Sequence, residues 1–398
     1  MASANDPTLK SWVPVPLNSD FPIQNLPYGI FNTDKNPARV GVAIGDRVVD
    51  LYSLHVLGYL ENLPFKQEDL QSPTLNRLMA HGRIHIGRLR DRVSKLLRSD
   101  FPDLRNKEHH VAQVLVPMAE VQMLMPVEIG DYTDFYASEQ HAFNVGTMFR
   151  GPENALMPNW KHMPIGYHGR ASSIAVSGTP IHRPKGQMRP NPEQPPVFGP
   201  TNQLDFELEV GFVTYSGKPL GHSISTEEAD EFIFGMLLFN DWSARDFQAW
   251  EYVPLGPFLG KNFGSTVSPW IVTMDALEPY RTMGPLQDPP VLPYLQSPAS
   301  RHLDIDLEVV IRTADGTENT ISRSNMRHLY WNMNQMLAHH TVNGCNIRCG
   351  DLMASGTISA PQEGGYGSML ELSWRGTKPL RMADGSERKF ILDLDTVI

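Results

Sequence analysis

The chain has 398 residues, 41% of them hydrophobic and 20% charged, enough to bury a large core and to divide into two domains. Its 34 Lys and Arg stand against 44 Asp and Glu, a net charge of −10 with no basic run, which argues against nucleic acid and anionic membranes and for small molecules or proteins as partners. The opening MASANDPTLK lacks a basic segment followed by an apolar one, no apolar run approaches the roughly 18 residues that span a bilayer, and two cysteines cannot build a disulfide framework, so a cytoplasmic protein is expected.

From Pro27, PYGIFNTDKNPARVGVAIGDRVVDL alternates short β-rich runs with turns, and Gly45-Asp46 between RVGVAI and RVVDL predicts a tight hairpin within a small barrel-like unit. Next, NRLMAHGRIHIGRLRDRVSKLLRS sets Leu89, Val93, Leu96 and Leu97 at helical spacing, with Arg88, Arg90, Arg92, Lys95 and Arg98 expected on a solvated face. A boundary falls between Val114 and Met125, giving a head over 1–122 and a body over 123–398. The body reads as short strands and long loops, two of them Pro-rich: RPKGQMRPNPEQPPVFGP and LEPYRTMGPLQDPPVLPYLQSP. A helix is expected from a cap near Ser324 to Gly344, with Met326, Leu329, Met333, Met336 and Leu337 facing the core. Cys345 and Cys349 read as two reduced, partly buried thiols, with zinc beside His339 and His340 as the alternative. No Walker loop or G-x-G-x-x-G follows a strand, so nucleotide cofactors have no support.

In LDFELEVGFV, the acids Asp205, Glu207 and Glu209 alternate with Leu204, Phe206, Leu208 and Val210, so on one strand they share a face. That face is either a solvated sheet surface or part of a site. FIFGMLLFN reads as a buried strand that ends at Asp241, where an acid stands at the rim of the core. If DWSARDFQ continues as helix, Asp241, Arg245 and Gln248 share a face, and Asp241 either pairs with Arg245 or joins the strand acids around one divalent cation. All-oxygen ligands would favour calcium or magnesium.

In GDYTDFYASEQHAFNVGTMFRG, the residues Asp134, Tyr136, His141 and Arg150 lie close together, and Ser138 is placed to cap a helix carrying His141. Such a segment can supply a base and an anion clamp. SMLELSWRG reads as a strand with Glu371 the lone acid of its polar face.

The blocks DYTDFYASEQHAFNVGTMFRG, NWKHMPIGYHGRASSIAVSGTPI, LDFELEVGF, NDWSARDFQAWEYVPLGPFLGKNFG and LMASGTISAPQEGGYGSMLELSW, in this order, resemble the fumarylacetoacetase family over nearly the whole chain. The resemblance implies a mainly β fold with some α: a small SH3-like N-terminal barrel and a larger C-terminal roll or sandwich of mixed β-sheets, assembled as a homodimer. It implies hydrolysis of the carbon–carbon bond of 4-fumarylacetoacetate to fumarate and acetoacetate, the last step of tyrosine and phenylalanine breakdown. A β-diketone chelates a hard cation through its oxygens, and the departing carbanion is tolerable as an enolate.

By the same resemblance Asp134, Glu207, Glu209 and Asp241 hold Ca2+, while Asp241, Lys261 and Ser265 are associated with Mg2+. An ammonium cannot coordinate, so Lys261 would act through its backbone oxygen or its charge. Ser265 stands where the family more often has Thr. His141 and Glu371 correspond to the pair that activates water, and Arg245, Gln248 and Lys261 to the donors that receive the oxyanion. Tyr136, Arg150, Gln248, Tyr252 and Thr357 match substrate contacts. Asp205 lies outside the metal set and reads as a surface or supporting acid. A related hydrolase or decarboxylase of small keto acids, or a catalytically silent metal-stabilised binding protein, are the alternatives.

Overall fold

The computed structural model describes residues 3–398; Met1 and Ala2, the start of the segment read for a leader, lie outside the described residues. The head contains a five-stranded antiparallel sheet in the order Leu115–Pro117, Arg47–Asp50, Asn36–Ile44, Tyr28–Thr33, Gln122–Leu124. The predicted hairpin is there. Ile44 pairs with Arg47, and Gly45 makes the turn at φ +55°, where an added Cβ would meet the Pro14 carbonyl oxygen at 2.4 Å. Helix Arg83–Leu97 packs Leu89, Val93, Leu96 and Leu97 into the core beneath this sheet. Its basic face is not wholly solvated: Arg90 is buried, and its Nη2 donates to Asn5 Oδ1 at 2.8 Å and to the Gln24 carbonyl. A long side chain beside core positions satisfies its fork on backbone and amide oxygens instead of water.

The body is organised by an eight-stranded mixed sheet. Its main path runs Gly166–His168, Tyr132–Phe135, Leu352–Ala354, Leu208–Thr214, Ile233–Asp241, Ser265–Val267, Ile174–Val176, and Val272–Thr273 pairs with Ile233–Asp241 off that path. Leu352–Ala354 is parallel to Tyr132–Phe135, and Ser265–Val267 to Ile174–Val176; the other pairings are antiparallel. The apolar run FIFGMLLFN is a strand, as expected, ending at Asp241. Head and body share one core: Tyr28 and Ile271 exchange backbone hydrogen bonds of 2.9 and 2.8 Å, and the Tyr28 ring lies edge-on to Phe234.

The late helix is shorter than its sequence predicts. Ser324 belongs to strand Glu318–Asn325, opposite Leu307, and a 3-10 turn at Met326–His328 intervenes before helix Met333–Thr341. Alternation in ENTISRSN binds Ser324 into the ladder. The true cap is Asn332, which exchanges side-chain hydrogen bonds with Gln335. The expected core stripe from Met326 to Leu337 is buried.

Candidate active site

The acid-bearing segment is two strands, not one. Leu204–Asp205 pairs with Ser243–Ala244, the ladder breaks at Phe206 and Glu207, and pairing resumes at Leu208. Its acids do not face water: Asp205 and Glu209 are 0% exposed and Glu207 5%. The surface reading of all three is therefore corrected. An acid buried this completely must be bonded, protonated or bound to a cation.

Asp205 is bonded. Its Oδ1 accepts from the Met369 N–H at 2.7 Å, and its Oδ2 from the Leu370 N–H at 3.0 Å and from Arg245 Nε at 2.8 Å. Arg245 Nη1 also reaches Glu207 Oε1 at 2.8 Å and Gln248 Oε1 at 3.1 Å. The postulated pairing of Asp241 with Arg245 is thus absent. Asp241 ends a strand and the helix begins only at Arg245, so the two never share a helical face. Asp241 meets Lys261 Nζ at 2.7 Å and Ser265 Oγ at 2.7 Å instead. Lys261 Nζ also touches Glu207 Oε2, so its charge, rather than any lone pair, faces the acids.

Asp134, Glu209 and Asp241 converge from three strands of the central sheet and Glu207 from the break before Leu208, each offering an oxygen within 4.8 Å of the others. With Asp205 there are five buried carboxylates here and two buried cations, Arg245 and Lys261. Two acids are left short. Among the described residues, Asp134 Oδ1 and Glu209 Oε1 have no hydrogen-bond partner, and Glu209 Oε2 has only the Gly356 N–H at 3.1 Å. Burial, then the neighbouring acids, raise Asp134 and Glu209 well above the ordinary carboxylate range. Asp241 is also raised, by burial first, although Lys261 opposes it. Glu207 goes the other way: burial opposes ionisation, but Lys261 and Arg245 together outweigh it. Orphaned, convergent hard-oxygen donors with excess negative charge fit a divalent cation.

Beside the acids lies a cavity of about 420 Å³ lined by Asp134, Tyr136, His141, Arg150, Glu207, Arg245, Gln248, Tyr252, Lys261 and Thr357. Ser138 caps helix Glu139–Arg150, as expected, its Oγ accepting from the His141 N–H at 3.4 Å. His141 Nδ1 lies 2.6 Å from Glu371 Oε2, and the Tyr136 ring stands edge-on to the imidazole at 5.3 Å.

Glu371 is not on a strand. It sits in the four-residue helix Met369–Leu372, because Ser368 Oγ and the Asp205 carboxylate take the free N–H groups of the first turn. The legible signal was Ser368-Met369-Leu370-Glu371, a capping pattern. Asn144 Nδ2 at 2.8 Å and the Ser359 and Ser368 hydroxyls at 2.9 Å complete the shell of Glu371. Burial would raise this carboxyl, but His141 and these hydrogen bonds hold it below the ordinary range.

Among the described residues, Arg245 Nη2 and Thr357 Oγ1 are buried without partners on the cavity wall. Tyr252 lies at the rim, 48% exposed. Sequence reasoning missed Tyr167, whose hydroxyl lies 3.4 Å from Asp241 Oδ2, and the shell donors Asn144 and Ser359. None carries a local pattern that announces it.

Residues 131–394 match the fumarylacetoacetate (FAA) hydrolase C-terminal family and residues 24–126 the fumarylacetoacetase N-terminal family. The chain is 52% identical over 390 residues to the fumarylacetoacetases of Bos taurus and Homo sapiens, covering 98% of this chain and 93% of each relative. To that of Arabidopsis thaliana it is 51% identical over 392 residues, with the same coverage. A fumarylacetoacetate hydrolase from psychrophilic Exiguobacterium antarcticum shares the fold at TM-score 0.51 and 17% identity, covering 94% of both chains. With both of its parts matched and half its residues shared with relatives along almost its full length, the chain belongs to the fumarylacetoacetase family.

Proposed function

We infer that the protein hydrolyses the carbon–carbon bond of 4-fumarylacetoacetate, adding water to release fumarate and acetoacetate, the step that ends tyrosine and phenylalanine breakdown. Identity to named fumarylacetoacetases supports the activity. One observation carries the mechanism: a buried His141–Glu371 pair at 2.6 Å opens on the cavity that the four-acid cluster borders.

Glu371 engages Nδ1, which leaves Nε2 of His141 to take a proton from water as its oxygen attacks the carbonyl carbon. Glu371, already bonded by three other side chains, fixes the tautomer and holds the imidazolium that forms. The carbonyl oxygen gains charge in that step, and the unpartnered Arg245 Nη2 is a donor available to it, with Gln248 and Lys261 beside it. Collapse breaks the carbon–carbon bond, and protonation of the departing enolate carbon completes acetoacetate. Tyr136, Arg150, Tyr252 and Thr357 hold the substrate on the cavity wall. Asp134, Glu207, Glu209 and Asp241 would hold Ca2+, with Asp241, Ser265 and the charge of Lys261 beside a Mg2+ position. Bound there, a divalent ion supplies the positive charge that a diketone's oxygens and an enolate require.

Residues 1–122 are assigned as the head and 123–398 as the catalytic unit, since each assigned site residue lies at 134 or beyond. The protein is read as a homodimer on its resemblance to the family and as cytoplasmic on its composition and opening sequence; among the described residues no helix is long and apolar enough to cross a membrane. The test is to mix the protein with fumarylacetoacetate and follow loss of substrate absorbance with release of fumarate. Turnover should stop with a chelator and return with calcium or magnesium. No fumarate from the metal-loaded protein would overturn the reading.

A further inference from the structure

Four cationic side chains other than His141 line the cavity: Arg150, Arg245, Lys261 and Arg375. Arg245 and Lys261 are neutralised by Asp205, Glu207 and Asp241. Among the described residues, Arg150 and Arg375 make no ion pair. Arg150 donates from Nε and Nη2 to the Asn154 and Ala155 carbonyls. Arg375 donates only from Nη1, to the Met148 carbonyl at 3.0 Å, and its guanidinium lies over the Phe149 ring at 4.6 Å. Its Nε and Nη2 are unengaged within the described chain.

The placement of Arg375 is held against backbone preference. Trp374, Arg375 and Gly376 have φ of +47°, +57° and +77°, three successive left-handed residues of which two carry side chains. Hydrogen bonds from Arg375 N to the Leu370 carbonyl and from Lys378 N to the Ser373 carbonyl, both 2.8 Å, lock this turn. It closes the short helix of Glu371, so the catalytic pair and Arg375 are set by one element. Stacking on Phe149 removes conformations of a long side chain, so less entropy is lost when its free donors meet an anion.

We propose that Arg375 binds a substrate carboxylate at the cavity mouth and, with Arg150, selects dianionic over monoanionic diketones. The inference rests on the cavity being the site for fumarylacetoacetate, which carries two carboxylates and meets two cations there that no protein acid neutralises. Arg375 acts on specificity and takes no part in the proton transfer.

The experiment compares wild type, Arg375→Gln and Arg375→Lys, metal-loaded, on fumarylacetoacetate and on its two monoesters. R375Q should lower kcat/KM on the dianion about tenfold, mainly through KM, as expected for losing one charge-assisted contact. That loss should vanish on one of the two monoesters, the one lacking the carboxylate Arg375 meets, and R375K should recover part of it. No loss on the dianion, or an equal loss on both monoesters, would overturn the proposal. If wild type fails to turn over fumarylacetoacetate, the assignment of the reaction fails first, and that result is distinct.

Discussion

Glu371 and Glu209 are both fully buried glutamates, and their carboxylates stand in opposite conditions. Glu371 receives His141, Asn144, Ser359 and Ser368, and is held low. Glu209 receives one backbone N–H, leaves its other oxygen bare among three further acids, and is driven up. The first carboxylate is complete without a ligand; the second is not. A group whose work is to orient a proton acceptor is best fixed beforehand, whereas one that must embrace a cation has to remain short of partners until the cation arrives.

The largest effect expected from this contrast is catalytic. His141→Ala removes the group that the whole Glu371 shell positions and should lower kcat about 100- to 10,000-fold, or about 3–5 kcal/mol of barrier, with metal binding intact. Steady-state kinetics with a parallel calcium titration checks it. Wild-type kcat in this variant would break the distinction between a finished base and an unfinished metal site.

A smaller and opposite effect is expected at the acid cluster. Glu209→Gln removes an acid whose ionisation burial and its acidic neighbours oppose in the metal-free protein, while its amide oxygen can still accept from Gly356 N–H. Metal-free E209Q should melt no lower than metal-free wild type, against the usual cost of changing a residue at 0% exposure. Calcium at about 100 times its Kd adds about 2.7 kcal/mol to a folded site, and most of that gain should disappear in the variant. Thermal melts with and without calcium read both. A strongly destabilised metal-free variant with an undiminished calcium response would show that Glu209 serves packing alone.

Sequence made Glu207, Glu209 and Asp241 visible because they interrupt or end apolar runs, where a charge has to be explained, whereas Asp134 joined them only through the family resemblance. Their convergence was not visible, since it depends on a parallel pairing of Leu352–Ala354 with Tyr132–Phe135 that joins positions far apart in the chain. Of the two readings of Asp205, surface or supporting acid, only the second agrees with its contacts, and the first fails for a physical reason. Alternation shows which residues share a face but not whether that face is wet, and here the short helix at Met369 covers it. The same helix hid behind a strand-like alternation in MLELSW, although Ser368 three residues before Glu371 marked its start. Ser324 erred in the other direction: a good cap residue was claimed by a ladder, and Asn332 took its place. Local chemistry reads well from sequence; which of two local options wins is decided by tertiary partners.

The smallest expected effect concerns acidity, and its sign follows from Glu371. Its carboxyl is held below the ordinary glutamate value of about 4.3 by His141 and three hydrogen-bond donors, against burial. Between the folded and unfolded values the unfolded chain therefore binds more protons, so stability rises with pH across that window. The contribution is fully present above about pH 4.3 and is lost as pH falls through the lower folded value. Glu371→Gln cannot titrate. Urea unfolding of wild type and E371Q from neutral to acid pH should give a stability difference that is flat down to about pH 5 and then narrows. A difference that stayed flat, or widened, would mean that the His141–Glu371 bond does not stabilise the ionised carboxylate, and the pair would no longer count as the pre-built half of the site.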